Sequence, residues 1–280
     1  MTLLPPSAQT ETTSESVWLS TTFAGQWRFA LRPAREADAP MVIAVHGSDR
    51  DTTGLLGGFD ALGDRVSLLV PEFPQVLAGQ DIGDDYKFLI GNGVNYLDLL
   101  DAMRRDAAAQ LNATPRATYL FGFSGGAQFV HRYALFRGQG IEGFIAASPG
   151  SVTLLRKDVE WWPGLKGADA MGEMLDIEAT ARLSIAFLVG DQDRNAGLVS
   201  RPAGSSFGSA FADLAGANRI ERTRALAESF SDAGLSCEFE LIPGAGHELA
   251  PCTGAAADIL CRWLDNNNAS AISTENWSGT

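Results

Sequence analysis

The run Ala117-Thr118-Tyr119-Leu120-Phe121-Gly122-Phe123-Ser124-Gly125-Gly126-Ala127-Gln128-Phe129-Val130 decides how this chain is read. Its first half is a nearly unbroken apolar stretch of strand length, and its second half opens an amphipathic stretch of helical periodicity that runs to Arg137. At the junction stands Gly-x-Ser-x-Gly, residues 122–126. In a chain with 30 glycines that pattern alone is weak. A strand before it and a helix after it give it a mechanical sense. The sharp turn holds the serine in a strained, exposed conformation, small residues at 122 and 126 let strand and helix approach closely, and the free N–H groups of a helix N-terminus favour developing negative charge. A glycine-rich strand-to-helix turn without chemistry is the competing reading at this point.

Working outward, apolar runs of strand length recur at 41–45, 66–70, 117–123, 141–147 and 183–189. Four of these five are almost continuously hydrophobic, as a strand covered on both faces by helices must be, which implies a parallel sheet. Between them, residues 94–111 place Leu97, Leu100, Met103, Ala107 and Leu111 on one helical face. Residues 125–137 and 222–233 behave alike, and Gly234 suits a helix C-terminus. Residues 16–31 read as a leading hairpin with Gly25 near its turn, and 237–242 alternates as an edge strand does. The expectation is a doubly wound, mostly parallel α/β sheet with helices on both faces, whose sites lie beyond the carboxyl ends of the strands. One domain spans 16–265, with a small lid-like insertion at 150–182 that contains Trp161-Trp162. The Ser-, Thr- and Pro-rich 1–15 and the polar 266–280 read as flexible ends.

Asp plus Glu number 34 against 21 Lys plus Arg, a formal charge of −13, with no basic cluster along the chain. Such a surface repels phosphate backbones and anionic headgroups, so neither nucleic acid nor membrane is an expected partner. No signal-peptide pattern opens the chain and no apolar run approaches membrane-spanning length, so a cytoplasmic protein is expected. Oligomeric state is not encoded in any pattern here. Cys237, Cys252 and Cys261 are odd in number and lack C-x-x-C spacing, which argues against a disulfide framework and against a zinc site.

A serine hydroxyl needs a base to take its proton, and there are three histidines. His131 lies about two turns into the helix after Ser124. His46 ends an early strand. His247 sits in Pro243-Gly244-Ala245-Gly246-His247-Glu248, between the last strand and the last helix, where a parallel sheet delivers it to the same edge as Ser124. The base in turn needs an acid, and both Asp191 and Asp193 follow the strand at 183–189. The order serine, aspartate, histidine differs from that of the two other familiar serine-hydrolase folds.

With these residues in place the chain, from Met41 to about Leu264, resembles the α/β-hydrolase superfamily of serine hydrolases. The resemblance selects Asp193 over Asp191, because in that family the acid commonly falls three residues after the glycine closing its strand. It also implies that the backbone N–H groups of Ser48, in His46-Gly47-Ser48, and of Gly125 form an oxyanion hole, with His46 bracing the loop. The sequence His-Gly-Ser-Asp departs from the His-Gly-Gly-Gly run of one lipase and esterase branch. The long segment after the acid, ending in Asn218-Arg219-Ile220-Glu221-Arg222, is similar to members related to polyhydroxyalkanoate depolymerases and dienelactone hydrolases. A serine nucleophile disfavours the branches in which an aspartate attacks.

The expected chemistry is therefore hydrolysis of a small or medium-sized carboxylic ester through an acyl-enzyme, with Ser124, Asp193 and His247 catalytic and no metal or organic cofactor. The same triad could serve a thioester, lactone, amide or carbon–carbon bond, and a non-catalytic binding protein of this fold is the rival from another class. Three loops should border the pocket, at 72–93, around the tryptophan pair, and at 195–218. From them Phe73, Tyr86, Lys87, Trp161 and Trp162 are the candidate substrate contacts.

Overall fold

A computed structural model of the chain describes residues 16–21, 27–195 and 201–275, the side chains of 268–275 excepted. The expected flexible segment 1–15 and the hairpin turn at Gly25 lie outside the described residues. The strands are β1 (Val17–Ser20), β2 (Arg28–Arg32), β3 (Met41–Val45), β4 (Ser67–Glu72), β5 (Val76–Leu77), β6 (Gln80–Asp81), β7 (Ile90–Gly91), β8 (Val94–Asn95), β9 (Thr118–Phe123), β10 (Gly143–Ala147), β11 (Ser184–Gly190) and β12 (Glu238–Ile242). The α-helices are α1 (Thr52–Gly58), α2 (Tyr96–Leu111), α3 (Gly125–Arg137), α4 (Ile177–Thr180), α5 (Arg219–Asp232) and α6 (Leu249–Glu275).

Eight strands form one sheet in the order β1-β2-β4-β3-β9-β10-β11-β12. From β4 to β12 every neighbour is parallel, while β2 runs antiparallel to both β4 and β1. The remaining pairs, β5–β6 and β7–β8, are two-residue hairpins inside the 72–95 loop. The continuous hydrophobicity of the central runs has its cause in two cores, one on each face. Met41, Ile43 and Val45 of β3 point to the face carrying α2, α3 and α5, and Val42 and Ala44 point to the face carrying α1 and α6. On β10, Phe144 and Ala146 join the first core and Ile145 and Ala147 the second. The edge strand β12 is correspondingly polar, with Glu238 and Glu240 exposed.

The outlines depart from the expectation in three places. β4 continues through Pro71, because its ladder with β3 ends at Leu69 and the missing proline N–H withdraws no donor from that side. Residues 266–275, expected as part of a flexible tail, are helical: extending an established helix adds a hydrogen bond for each residue fixed, and Asn267 Nδ2 donates to the Tyr119 hydroxyl at 2.6 Å. The 150–182 segment, expected as a small lid, is clamped onto the helices beneath it. Thr153 N–H donates to His131, Leu155 N–H to Ser229, and Arg222 to the Gly150 carbonyl at 3.0 Å.

Candidate active site

The turn between β9 and α3 holds Ser124 at φ 53° and ψ −106°, a backbone conformation that costs a non-glycine residue energy and is kept only when its surroundings enforce it. Those surroundings are backbone. A Cβ at Gly126 would lie 2.0 Å from the Val45 carbonyl oxygen, and one at Gly122 2.2 Å from the Gly126 carbonyl oxygen, so α3 sits against β3 and β9 at a distance only glycine permits. The Ser124 N–H donates to the Ala147 carbonyl at 2.8 Å, fixing the turn to β10.

The loop after β12 brings His247 to this serine. Its Nε2 accepts from Ser124 Oγ at 3.0 Å, and its Nδ1–H donates to Asp193 Oδ2 at 2.7 Å. The ring stacks on Phe123 with centroids 4.8 Å apart, which sets its plane. Asp193 is wholly buried and also accepts from Arg219, at the start of α5, at 3.3 Å. Burial alone would raise the Asp193 pKa, but the His247 hydrogen bond and charge, with Arg219 and Ser148, hold it below the ordinary carboxylate value. Asp191, the alternative acid, braces the histidine loop, accepting from Gly244 N–H at 2.9 Å.

Beside the serine, the loop after β3 contributes His46, Gly47 and Ser48; a Cβ at Gly47 would come 3.3 Å from that of Ser124. His46 Nδ1–H donates to the Gly47 carbonyl at 2.7 Å, and its Nε2 accepts from Phe73 N–H at 3.0 Å. Burial lowers its pKa to about 4, so at neutral pH it is the uncharged tautomer these two bonds require. The Gly47 carbonyl and the Ser48 N–H belong to one planar peptide, so a bond that fixes the carbonyl also fixes the opposite direction of the N–H. Among the described residues the Ser48 N–H has no protein acceptor, and Gly125, first residue of α3, has none within its helix.

The expected substrate contacts separate into two groups. Lys87 is at the site: its Nζ donates to Ser48 Oγ at 2.7 Å and to Asp84. Phe73 and Tyr86 are corrected. At 1% and 0% exposed they have no surface to offer a ligand, and they pack against each other, Tyr96 and Phe129 beneath the loop, with the Tyr86 hydroxyl donating to the His46 carbonyl at 3.2 Å. Of the tryptophan pair, Trp162 is corrected likewise, while Trp161 stays partly exposed. Trp161 packs edge-on against Phe136, and Trp162 is buried against Phe88 with its Nε1–H donating to the Phe207 carbonyl at 2.8 Å.

Residues with no local sequence signal are Arg219, which reaches Asp193, and Arg132, buried under Lys87; their partners lie far away in the chain. His131 is buried, with Nδ1–H donating to the Ala127 carbonyl at 2.7 Å. Among the described residues no cluster of three or more His, Cys, Asp or Glu side chains could hold a metal ion, and no helix is long and apolar enough to cross a membrane.

No protein-family model matches the sequence, and no curated protein matches it. Solved structures do match. A poly(aspartic acid) hydrolase from Sphingomonas sp. KT-1 superposes with TM-score 0.71 at 16% identity, covering 87% of this chain and 97% of its own. A poly(3-hydroxybutyrate) depolymerase from Bordetella parapertussis gives TM-score 0.66 at 23% identity, over 86% and 84%. An S-formylglutathione hydrolase from Agrobacterium tumefaciens gives 0.57 at 13%, over 89% and 93%. With the eight-stranded sheet and its two helical layers, this likeness shows the α/β-hydrolase fold.

Proposed function

We propose that the chain is a serine hydrolase that cleaves a carboxylic ester of a small or medium-sized substrate through an acyl-enzyme. The observation that carries this is the continuous relay from Ser124 Oγ through His247 to Asp193, 3.0 Å and 2.7 Å long, on a strained turn at the carboxyl edge of the sheet. Ser124 Oγ attacks the ester carbonyl as His247 Nε2 takes its proton. Asp193 holds the imidazole by Nδ1 and stabilises the imidazolium that forms. Charge building on the carbonyl oxygen is met by the Ser48 and Gly125 N–H groups, whose orientation is set before substrate arrives, which is where such donors gain most. The imidazolium then protonates the leaving alcohol. Water, deprotonated by the same nitrogen, releases the acid. No step requires a metal or an organic cofactor.

Names of the structural neighbours support this reading: they include esterases, a ferulic acid esterase and a serine hydrolase that binds fluorophosphonate. One neighbour is named for poly(aspartic acid), and the same relay could serve an amide if His247 protonated a leaving amine. The test is a fluorophosphonate probe together with a panel of acyl esters, thioesters and amides. The probe is expected to label Ser124 alone, and Ser124→Ala to lose at least about 10⁴ of kcat. Folded protein that neither reacts with the probe nor turns over any ester would return the chain to the class of non-catalytic binding proteins.

A further inference from the structure

The chain carries a formal charge of −13, yet the wall beside Ser124 is cationic. Lys87 lies behind the expected oxyanion donors, bonded to Ser48 Oγ, and the space a Cβ on Gly125 would take is 2.9 Å from its Cε. Asp84 pairs with Lys87 and, at 2.7 Å, with Arg201. Arg201 also lies over the Phe88 ring, 5.2 Å from its centroid, and Arg132 approaches the same ring at 4.8 Å. Arg132 is fully buried, and all its acceptors are neutral: the Lys87 carbonyl, Thr153 Oγ1 at 2.9 Å and Ser151 Oγ at 3.0 Å. Arg50, across the loop, donates to the carbonyls of Ser48, Phe73 and Gly83. Four cations therefore stand on this wall, and the carboxylates beside it are Asp84, paired with two of them, its buried neighbour Asp85, and the exposed Asp49 and Asp81.

A cation held out of water with only neutral acceptors, as Arg132 is, is costly, and a hydrophobic or neutral residue could have filled the space. What the lysine and the three arginines supply is a set of cationic donors beside Ser124 in a molecule whose overall charge repels anions. Of these, Arg201 is placed to meet an anion. Its side chain is 14% exposed, and among the described residues its hydrogen-bond partners are Asp84 and the Ser206 carbonyl, at 3.5 Å, which leaves donors of its planar fork for a second carboxylate. We propose that the ester taken by Ser124 bears a carboxylate, held at this wall by Arg201 with Lys87 and Arg50 behind it. The proposal rests on the acyl-transfer reading of Ser124 and narrows its substrate class to half-esters of diacids or acylated hydroxy acids.

Two matched pairs of esters test it. For an anion on the alcohol side, para-acetoxybenzoate is compared with para-acetoxybenzamide. On the acyl side, monophenyl adipate is compared with the phenyl ester of adipic acid monoamide. Rates are corrected for spontaneous hydrolysis. The wild-type protein is expected to favour the charged member of at least one pair by about tenfold in kcat/KM, chiefly through KM. That preference should shrink as salt rises from about 0.1 M to 1 M, where the Debye length contracts from about 10 Å to 3 Å. Arg201→Gln should bring the charged-to-neutral ratio close to one. Equal turnover of charged and neutral esters by the wild-type protein overturns the proposal while leaving the acyl-transfer reading intact. So does an Arg201→Gln loss that is equal for both members, since the cations would then act on the oxyanion alone. No turnover of any of the four esters overturns the proposal, and if Ser124 also fails to react with the fluorophosphonate probe the acyl-transfer reading falls with it.

Discussion

At the scale of single residues, the site distinguishes groups that composition alone cannot. Asp191 and Asp193 follow the same strand, two residues apart, and both use their carboxylates. Asp193 faces His247 Nδ1, while Asp191 faces the Gly244 N–H and Gln192. Replacing each by Asn should separate them. Asp193→Asn presents an amide N–H or carbonyl to Nδ1 and permits the wrong tautomer, so kcat should fall by about 10⁴. Asp191→Asn keeps an acceptor for Gly244 and should cost about tenfold or less, as expected for a loop brace whose hydrogen bond is worth about 1 kcal/mol. Steady-state kinetics on one ester, beside thermal melts of both variants, checks this; the reverse ranking would move the acid to Asp191. The strand pattern brought Ser124, His247 and the pair Asp191 and Asp193 to one edge, while the choice of Asp193 and the bracing role of His46 came from the family resemblance. Sequence reading could not reach Arg219 or the support given by Phe73 and Tyr86, because those depend on contacts across 26 to 56 residues of chain, between elements whose packing is not periodic.

At the scale of elements, the parallel strands were legible within two residues because burial on both faces leaves an unmistakable run of apolar side chains. α1 was not legible. Thr52–Gly58 carries three glycines and one fully buried leucine, so neither propensity nor periodicity marks it; Asp51 caps it, accepting from Gly54 N–H at 2.7 Å. The glycines of the molecule thus have opposite reasons to be there, and one substitution at each shows it. Gly126→Ala drives a methyl into the Val45 and His46 carbonyls, 2.0 Å and 2.9 Å away, and must push α3 off the sheet. It should cost about 3 kcal/mol or more of unfolding free energy, and activity with it, since Ser124 is held by the same junction. Gly57→Ala, in α1, meets no atom within 4 Å and should stabilise by about 0.5–1 kcal/mol by removing helix-interior glycine entropy. Urea unfolding of the two variants provides both signs; a harmless Gly126→Ala would mean that strand and helix are not in the contact described.

At the scale of the whole molecule, two buried histidines tie separate parts of the structure together and make stability depend on pH. His46 joins the loop after β3 to the backbone of Phe73, and His131 joins α3 to the backbone of Thr153. Each uses one ring nitrogen as donor and the other as acceptor, which only the neutral ring can do. Burial lowers their pKa values to about 4 and about 3, against 6.5 when unfolded. Below pH 6.5 the unfolded chain binds protons that the folded one refuses, so folding is penalised more as pH falls and stability rises with pH across this window. At pH 5 the loss is about 2 kcal/mol for each histidine relative to neutral pH. Asp193 and Asp84, whose pKa values are lowered in the fold, act in the same direction but at lower pH, below the ordinary carboxylate value near 3.8. Titrating surface carboxylates relieves the repulsion of a −13 chain and pulls the other way, but at 0.15 M salt such charges are screened beyond about 8 Å. The buried histidines should therefore dominate between pH 6.5 and 5. Urea unfolding at pH 7 and at pH 5 is expected to differ by several kcal/mol in the wild-type protein. His131→Gln, which keeps an amide donor and acceptor but cannot titrate, should narrow that difference by about 2 kcal/mol even where it lowers stability at both pH values. An unchanged difference in the variant would show that His131 is not held neutral in the fold.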